Sequence, residues 1–307
     1  MSADLDPDPG EAIVPRHTLS QIRRLLSAGG VEPKNKLGQN FLIDLNLIDL
    51  IVRTADLSSA DLVLEVGSGT GSLTARLAAQ AGAVVSVEVD PALHAIAARQ
   101  VADRGNVRLL RADALKNKNR LNPAVLEALG TARAEFGCNR FKLVANLPYA
   151  VAMPVMANLL VRDEPIERMV VTVQWEIAER LAAEPGTAAF GAASVLVQSL
   201  AEVTIVRKLA PSVFWPRPKV DSAIVRIDPD PAQRARIGDV AGFRVFLRDL
   251  YVHRRKNLRG ALSGWPTGRR DKTEIDRLLA DLQLDGAIRA EQLSIEQHQK
   301  LWRAFAR

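Results

Sequence analysis

Asn146-Leu147-Pro148-Tyr149 joins residue types that suit one chemical task. An exocyclic amine on an aromatic base is a poor nucleophile, because its lone pair is delocalised into the ring. Acceptors on both of its N–H groups draw the nitrogen toward sp³ geometry and return the lone pair. The Asn146 side-chain oxygen and the Leu147 backbone carbonyl are candidates for those acceptors. Pro148 stiffens the turn and restricts the residue before it. Tyr149 offers a ring on which a base can stack. No strong general base is needed, since the N–H becomes acidic once the new group has arrived, so positioning and charge matching would carry the catalysis. The same four residues also describe an ordinary strand-to-helix turn with an Asn cap, so the reading depends on their surroundings.

Those surroundings hold a second constellation. Glu65-Val66-Gly67-Ser68-Gly69-Thr70-Gly71 follows an apolar run and opens a helical pattern. Glycines there permit a tight turn and let a ligand approach the backbone. The spacing resembles a dinucleotide fingerprint but is shorter. About 20 residues on, Glu88 can accept hydrogen bonds from two ribose hydroxyls; Asp90 competes for that role, but Asp90-Pro91 reads as a helix cap. Asp113 stands where a carboxylate could take the amino group of an adenine. Three such features fit an adenosine-containing ligand, either a nicotinamide dinucleotide or S-adenosylmethionine. A dinucleotide would need a pyrophosphate site and a second half-site, for which the sequence gives no signal. Glu65, just before the glycines, favours a cationic group over a pyrophosphate.

Phe214-Trp215-Pro216-Arg217-Pro218-Lys219-Val220-Asp221-Ser222 sets aromatic rings between prolines on a basic loop. It suits base stacking with phosphate contact, or else a plain aromatic plug. The formal net charge is +6, and its distribution is uneven. Arg244, Arg248, Arg254, Arg255, Lys256, Arg259, Arg269, Arg270 and Lys272 face only Asp249 and Asp271 in the same stretch, while Arg16, Arg23, Arg24, Lys34 and Lys36 cluster near the start. Such clusters favour a polyanion, because neutralising phosphates releases counterions. The single cysteine, Cys138, rules out an intramolecular disulfide. No basic-then-apolar leader opens the chain, and no run approaches the roughly 18 apolar residues that span a bilayer. A cytoplasmic, non-membrane protein is expected, with no metal site.

The elements that must position these residues follow from periodicity. Residues 1–16 carry turn chemistry and are expected to be a disordered extension. Helical spacing runs from Leu19 to Leu26, ended by Gly29-Gly30, and from Asn46 to Ala55. Strands are expected at 62–66, 84–89, 107–110, 141–145 and 169–173, with helices at 73–81 and from Pro91 to about Asp103. Such alternation implies a mostly parallel sheet covered on both faces, with ligands at the carboxyl ends of its strands. Strands at 203–206 and 223–227 read as an antiparallel closing pair. Asp228-Pro229-Asp230-Pro231 reads as a linker, and only helical periodicity follows Val240. The expected organisation is a catalytic domain over residues 17–230 and a small all-helical RNA-binding domain over residues 236–307.

Together these residues resemble the ribosomal RNA adenine dimethyltransferase family of KsgA/RsmA type, from about Lys36 to Lys256. The resemblance implies a Rossmann-like S-adenosylmethionine-dependent methyltransferase fold with a mostly parallel seven-stranded sheet. Lys36-Leu37-Gly38-Gln39-Asn40-Phe41-Leu42 matches the family's N-terminal motif and implies cofactor contacts from Asn40 and Leu42. The resemblance further implies Gly67, Glu88, Asp113 and Asn146 as cofactor residues. It implies Asn146, Leu147 and Tyr149 at the reacting base, with Phe214 as a second stacking ring opposite Tyr149. RNA contacts are implied for Arg217, Lys219, Arg254, Arg255 and Lys256, the last three in a motif similar to the family's basic helix. The implied partner is small-subunit ribosomal RNA in an immature particle, and the implied reaction is N6-dimethylation of two adjacent adenines near its 3′ end, by a monomer. Two departures stand out: Ser68 replaces the usual Pro, and Ala150-Val151-Ala152-Met153 replaces the usual polar run after Tyr149.

Overall fold

The computed structural model describes residues 19–28, 30, 39–264 and 271–305. The expected N-terminal extension, Gly29, Lys36-Leu37-Gly38, Arg269 and Arg270 lie outside the described residues. In chain order the elements are α1 (Leu19–Ala28), β1 (Phe41–Leu42), α2 (Leu45–Ala55), β2 (Asp61–Val66), α3 (Ser72–Ala78), β3 (Ala83–Glu88), α4 (Pro91–Gln100) and β4 (Val107–Arg111). Next come β5 (Leu115–Asn117), β6 (Arg120–Leu121), α5 (Pro123–Phe136), β7 (Arg140–Asn146), α6 (Ala152–Val161), β8 (Arg168–Gln174), α7 (Trp175–Leu181), α8 (Ala192–Gln198) and β9 (Ala201–Leu209). The last are β10 (Phe214–Trp215), β11 (Ser222–Pro229), α9 (Pro231–Ile237), α10 (Val240–Val252), α11 (Leu258–Ser263), α12 (Lys272–Asp281) and α13 (Ile295–Phe305).

The chain divides into two compact units. Among the described residues, one comprises those up to Lys116 together with Asn122–Pro148 and Ser212–Pro218; the other comprises Asn117–Leu121, Tyr149–Pro211 and those from Lys219 onward. In the first, four parallel strands lie in the order β4-β3-β2-β7, with Leu64 opposite Val85 on one side and Leu143 on the other. Every residue of β2 and β3 is buried, as expected of parallel strands covered on both faces. The second unit holds β8, β11 and β9, paired antiparallel in that order. These seven strands and the helices between them make the α/β, Rossmann-like fold that the family resemblance implied. Helices α10 to α13 follow as the late helical periodicity requires, and α10 buries Phe243, Phe246, Leu247 and Leu250. Trp302 of α13 packs its ring 5.5 Å from Phe246 and donates its indole N–H to the Ile237 carbonyl at 3.0 Å.

Three helices begin alike: Asp90-Pro91, Asn122-Pro123 and Asp230-Pro231 each place a capping side chain before Pro at the first turn. Pro tolerates that position because its missing N–H would have no helical partner there. The expected linker at 228–231 is therefore corrected: Asp228 and Pro229 complete β11, and Asp230 caps α9. The expected basic helix at 254–258 is corrected as well. Residues 254–257 form a turned link, and Asn257 caps α11 by accepting the Gly260 N–H at 2.9 Å. Helix α3 stops at Ala78 rather than Ala81, because the chain must turn into β3 at Ala83.

Two buried polar groups are closed off by their partners. At the amino end of β2, the Asp61 carboxylate takes Arg140 and Lys142, and Lys142 also donates to the carbonyls of Ala55 and Asp56. Burial would raise the Asp61 carboxyl, but the hydrogen bond from Arg140 and the neighbouring cations outweigh it and hold the group below its usual range. In the second unit, His298 is fully buried. Its Nδ1 faces the Ser294 carbonyl at 2.9 Å and must carry the hydrogen, so Nε2 accepts from the Tyr251 hydroxyl at 3.1 Å. Burial lowers the ring's pKa to about 4, against the hydrogen bond to Ser294.

A depressed folded pKa on a base means that the unfolded chain binds the proton more tightly. The stability from neutral His298 is therefore complete above about pH 6.5 and is lost as pH falls toward 4. We expect about 2 kcal/mol of it to disappear between about pH 7 and 5. Urea unfolding of wild type and His298→Gln across that interval checks this; equal slopes for the two proteins would show that His298 carries none of it.

Candidate active site

The glycine turn between β2 and α3 is shaped by close approach. Gly67 has φ +87°, and a Cβ there would lie 3.1 Å from the Pro148 ring. Gly69 has φ +54°, and its Cβ would lie 3.1 Å from the Phe41 ring. A side chain at either position would meet both a strained backbone and a neighbour. The Gly67 N–H donates to the Val87 carbonyl at 2.8 Å, which ties the turn to the end of β3.

Glu88, the last residue of β3, holds the turn from the other side. One carboxylate oxygen accepts the Gly69 N–H at 3.0 Å, and the other accepts the Asp90 N–H at 3.0 Å. The group is buried, and burial raises its pKa. Asp90 is spent as a cap, accepting the N–H groups of Ala92 and Leu93. The rivalry between these two acids thus resolves in geometry: Glu88 ends the strand, and Asp90 starts the helix. Asp113 lies beyond β4, where the Ala112 N–H donates to the Glu88 carbonyl at 3.1 Å. Its side chain is exposed and accepts the Leu115 N–H at 2.9 Å.

Beneath the glycine turn, Glu65 is 1% exposed and accepts the Thr74 and Ser86 hydroxyls on one oxygen, both at 2.6 Å. Burial, reinforced by the charge of Glu88, raises its pKa to about 7 against those two hydrogen bonds. Glu65, Ser68, Thr70 and Asn146 share a pocket with Phe41 and Leu42. Ser68 Oγ is buried there with no hydrogen-bond partner among the described residues. A mixed lining, apolar at Ile48, Ile51 and Leu73 and carrying an unspent hydroxyl, a carboxylate and a Cβ-free backbone, fits a small ligand with a cationic end.

Asn146 ends β7 and lies half-buried. Its side chain meets the Asn40 carbonyl at 2.9 Å, and a carbonyl only accepts, so the facing atom is Nδ2. The carboxamide is thereby oriented, and its Oδ1 has no partner among the described residues. Leu147 is 2% exposed, and its carbonyl makes no hydrogen bond among the described residues. Leu42 and Phe214 are opposite one another in the short β1–β10 pair, with Phe41 opposite Trp215. The first unit therefore gathers Asn40, Leu42, Gly67, Glu88, Asn146, Leu147 and Phe214, with Asp113 farther along the sheet edge. Phe214 is 2% exposed.

Tyr149 begins the second segment of the second unit, directly after Pro148 in the chain. Its hydroxyl hydrogen-bonds Ser222 Oγ at 2.6 Å, and burial raises its pKa. Ser222 gained no role from the sequence although it closes the Phe214–Ser222 motif; its signal was that motif. Val89, between Glu88 and Asp90, is an exposed apolar side chain, 49%. Among the basic residues, Arg217, Lys219, Arg255 and Lys256 are exposed. Arg254 is more engaged, with Nε on Glu291 at 2.7 Å and Nη2 on the Ala188 carbonyl at 2.8 Å.

A glycine turn, an acid at the next strand end and an oriented Asn at the fourth parallel strand define a Rossmann-like methyltransferase of the S-adenosylmethionine-dependent type. The model of the family described as ribosomal RNA adenine dimethylase matches residues 31–301, and the chain belongs to that family as an rRNA adenine dimethyltransferase. Ribosomal RNA small subunit methyltransferase A of Pelotomaculum thermopropionicum is 40% identical over 288 residues, 92% of this chain and 95% of the relative. The protein of the same name from Lactiplantibacillus plantarum is 38% identical over 279 residues, 91% and 92% of the two chains. The crystal structure of a dimethyladenosine transferase from Plasmodium falciparum shares the fold with a TM-score of 0.69 at 24% identity, over 86% of this chain and 96% of that one. The 23S rRNA methyltransferase ErmE shares it with a TM-score of 0.61, also at 24% identity, over 87% and 100%.

The two acids at the end of β3 separate in a binding assay. Asp90→Ala loses the cap and about 1 kcal/mol of stability, while calorimetric binding of S-adenosylhomocysteine stays within about twofold. Glu88→Ala should weaken that binding by about tenfold or more. Equal losses for the two variants would overturn the division of roles.

Proposed function

We propose that this enzyme dimethylates N6 of two adjacent adenines in a hairpin near the 3′ end of small-subunit (16S) ribosomal RNA. On this reading it acts in the cytoplasm, as a monomer, on an immature small subunit and so takes part in subunit biogenesis. The names of the relatives that align over nearly their whole length support the small-subunit target. The observation that carries the chemistry is the oriented Asn146 carboxamide, whose Nδ2 is spent on Asn40 and whose Oδ1 is left to accept.

Asn146 Oδ1 and the Leu147 carbonyl would each accept one N–H of the adenine amine and return its lone pair to nitrogen. Tyr149 would stack on the base, its ring anchored through Ser222, with Phe214 a second aromatic surface. S-adenosylmethionine, when bound, supplies an activated methyl on a sulfonium. Asn40, Leu42, Gly67, Glu88, Asp113 and Asn146 would hold it, with the buried Glu65 carboxylate favouring its positive charge. The residues following Val240, expected as a domain over 236–307, would serve RNA binding together with Arg217 and Lys219. Arg255 and Lys256 are the freer contributors there, since Arg254 already holds Glu291. No helix among the described residues is long and apolar enough to cross a membrane.

The test is methyl transfer from labelled S-adenosylmethionine to small subunits from cells that lack the modification, with the product mapped. N6,N6-dimethyladenine at two adjacent positions near the 3′ end is expected. Label in large-subunit RNA would move the enzyme to the other branch of the fold, and no label in adenine would overturn the reading. Asn146→Ala should lower turnover by about a hundredfold or more while S-adenosylhomocysteine still binds, since one developing-charge acceptor is lost; unchanged turnover would remove Asn146 from the chemistry.

A further inference from the structure

The turn joining β5 to β6 carries cations to which the proposed function gives no role, and Arg244 of α10 is tied to that turn. Lys118 and Arg120 are exposed, and neither has an ion-pair partner among the described residues. Arg244 of α10 is half-buried, and its two contacts are neutral. Nη1 donates to Asn158 Oδ1 at 2.8 Å, and Nη2 faces Asn119 Oδ1 at 3.4 Å. Asn158, 6% exposed, also donates from Nδ2 to the Lys118 carbonyl at 3.3 Å. Asn117 accepts the Asn119 N–H at 2.9 Å and closes the turn.

Three asparagines thus lock a basic turn to a guanidinium without supplying any negative charge. A purely structural site for a half-buried Arg would gain more from a carboxylate, because an opposite charge adds Coulombic attraction and a bidentate fit that an amide oxygen lacks. Burial and the nearby Arg248 push the Arg244 pKa below its ordinary value, as expected for a cation without a counter-charge. Arg248 itself is held by Asp249 at 2.7 Å and is not part of the uncompensated set. Guanidinium carries five N–H donors, of which the two asparagines use two, so three remain in a fixed fork suited to phosphate oxygens. Separate cations on one ordered surface suit a polyanion better than a single ion.

We propose that Lys118, Arg120 and Arg244 form a phosphate-contact surface that grips the backbone of the substrate RNA independently of its sequence. The choice of RNA rests on the function proposed above. The surface is separate in the chain from the loops at Arg217–Lys219 and Arg254–Lys256, and it sets the orientation of the RNA rather than the chemistry.

Filter binding of the full-length protein to small-subunit RNA between about 50 and 200 mM salt tests this. The double variant Lys118→Gln/Arg120→Gln should bind several-fold more weakly at low salt, and its log–log salt slope should be shallower by about one unit for each phosphate no longer neutralised. Arg244→Gln should act in the same direction, and Arg99→Gln, an exposed charge on α4, should change neither quantity. Unchanged S-adenosylhomocysteine binding shows that the variants are folded. A double variant with wild-type affinity and slope overturns the surface, as does wild-type binding that is insensitive to salt. Reduced slopes alongside a wild-type enzyme that methylates no small-subunit adenine would keep the surface and overturn the proposed function instead.

Discussion

Once Asn146 Nδ2 donates to the Asn40 carbonyl, the carboxamide can present its oxygen in only one way. That hydrogen bond joins residues 106 positions apart in the sequence, and the neighbouring structure serves to hold both ends still. Strand β7 is fixed by its parallel pairing with β2, Leu62 opposite Phe141 and Leu64 opposite Leu143. Asn40 precedes β1, whose partner β10 comes from the far side of the chain. At Gly67 and Gly69 a Cβ would press to 3.1 Å on the Pro148 and Phe41 rings from a positive-φ backbone, so a side chain there meets both strain and a tight contact. A reaction that depends on lone-pair direction needs such over-determined placement, because a shift of about 1 Å in an attacking group costs orders of magnitude in rate.

The two ends of the parallel strands treat buried charge in opposite ways. At the amino ends, Asp61, Arg140 and Lys142 form a closed set whose hydrogen bonds are met by side chains and by the carbonyls of Ala55 and Asp56. At the carboxyl ends, Glu65 and Glu88 are held by hydroxyls and backbone N–H groups, with no cation paired to either among the described residues. Burial raises both carboxyls, Glu65 to about 7. A closed network fixes the fold, whereas an uncompensated one keeps electrostatic capacity for a positively charged ligand.

The ends of β2, β3 and β7 could be read from the sequence because parallel strands buried on both faces are mostly apolar runs, here ended by Gly67, Glu88 and Asn146, whereas β4 is half-buried and carries Arg108 and Arg111. The pairing of β1 with β10 could not be read that way. Each strand has two residues, too few for any period, and they are joined only through the tertiary fold. The Asp228–Pro231 run misled because Asp-Pro repeats suit a linker and a strand end with a capped helix equally well; Asp90-Pro91 reads as a cap because helical spacing follows it to about Asp103. Arg254 looked like a free cation until its fold partners, Glu291 and the Ala188 carbonyl, were in place. The asparagines at 117, 119 and 158 carried no signal at all, since neutral amides gain meaning only from what they hold.

The chemistry turns on where the target nitrogen sits. A crystal structure of the full-length enzyme with S-adenosylhomocysteine and a small-subunit hairpin RNA measures that directly. The adenine N6 is expected within about 2.7–3.2 Å of both Asn146 Oδ1 and the Leu147 carbonyl, with the base over the Tyr149 ring. An adenine whose amino group lies away from Asn146, or an Asn146 carboxamide turned so that Nδ2 faces the base, would contradict it.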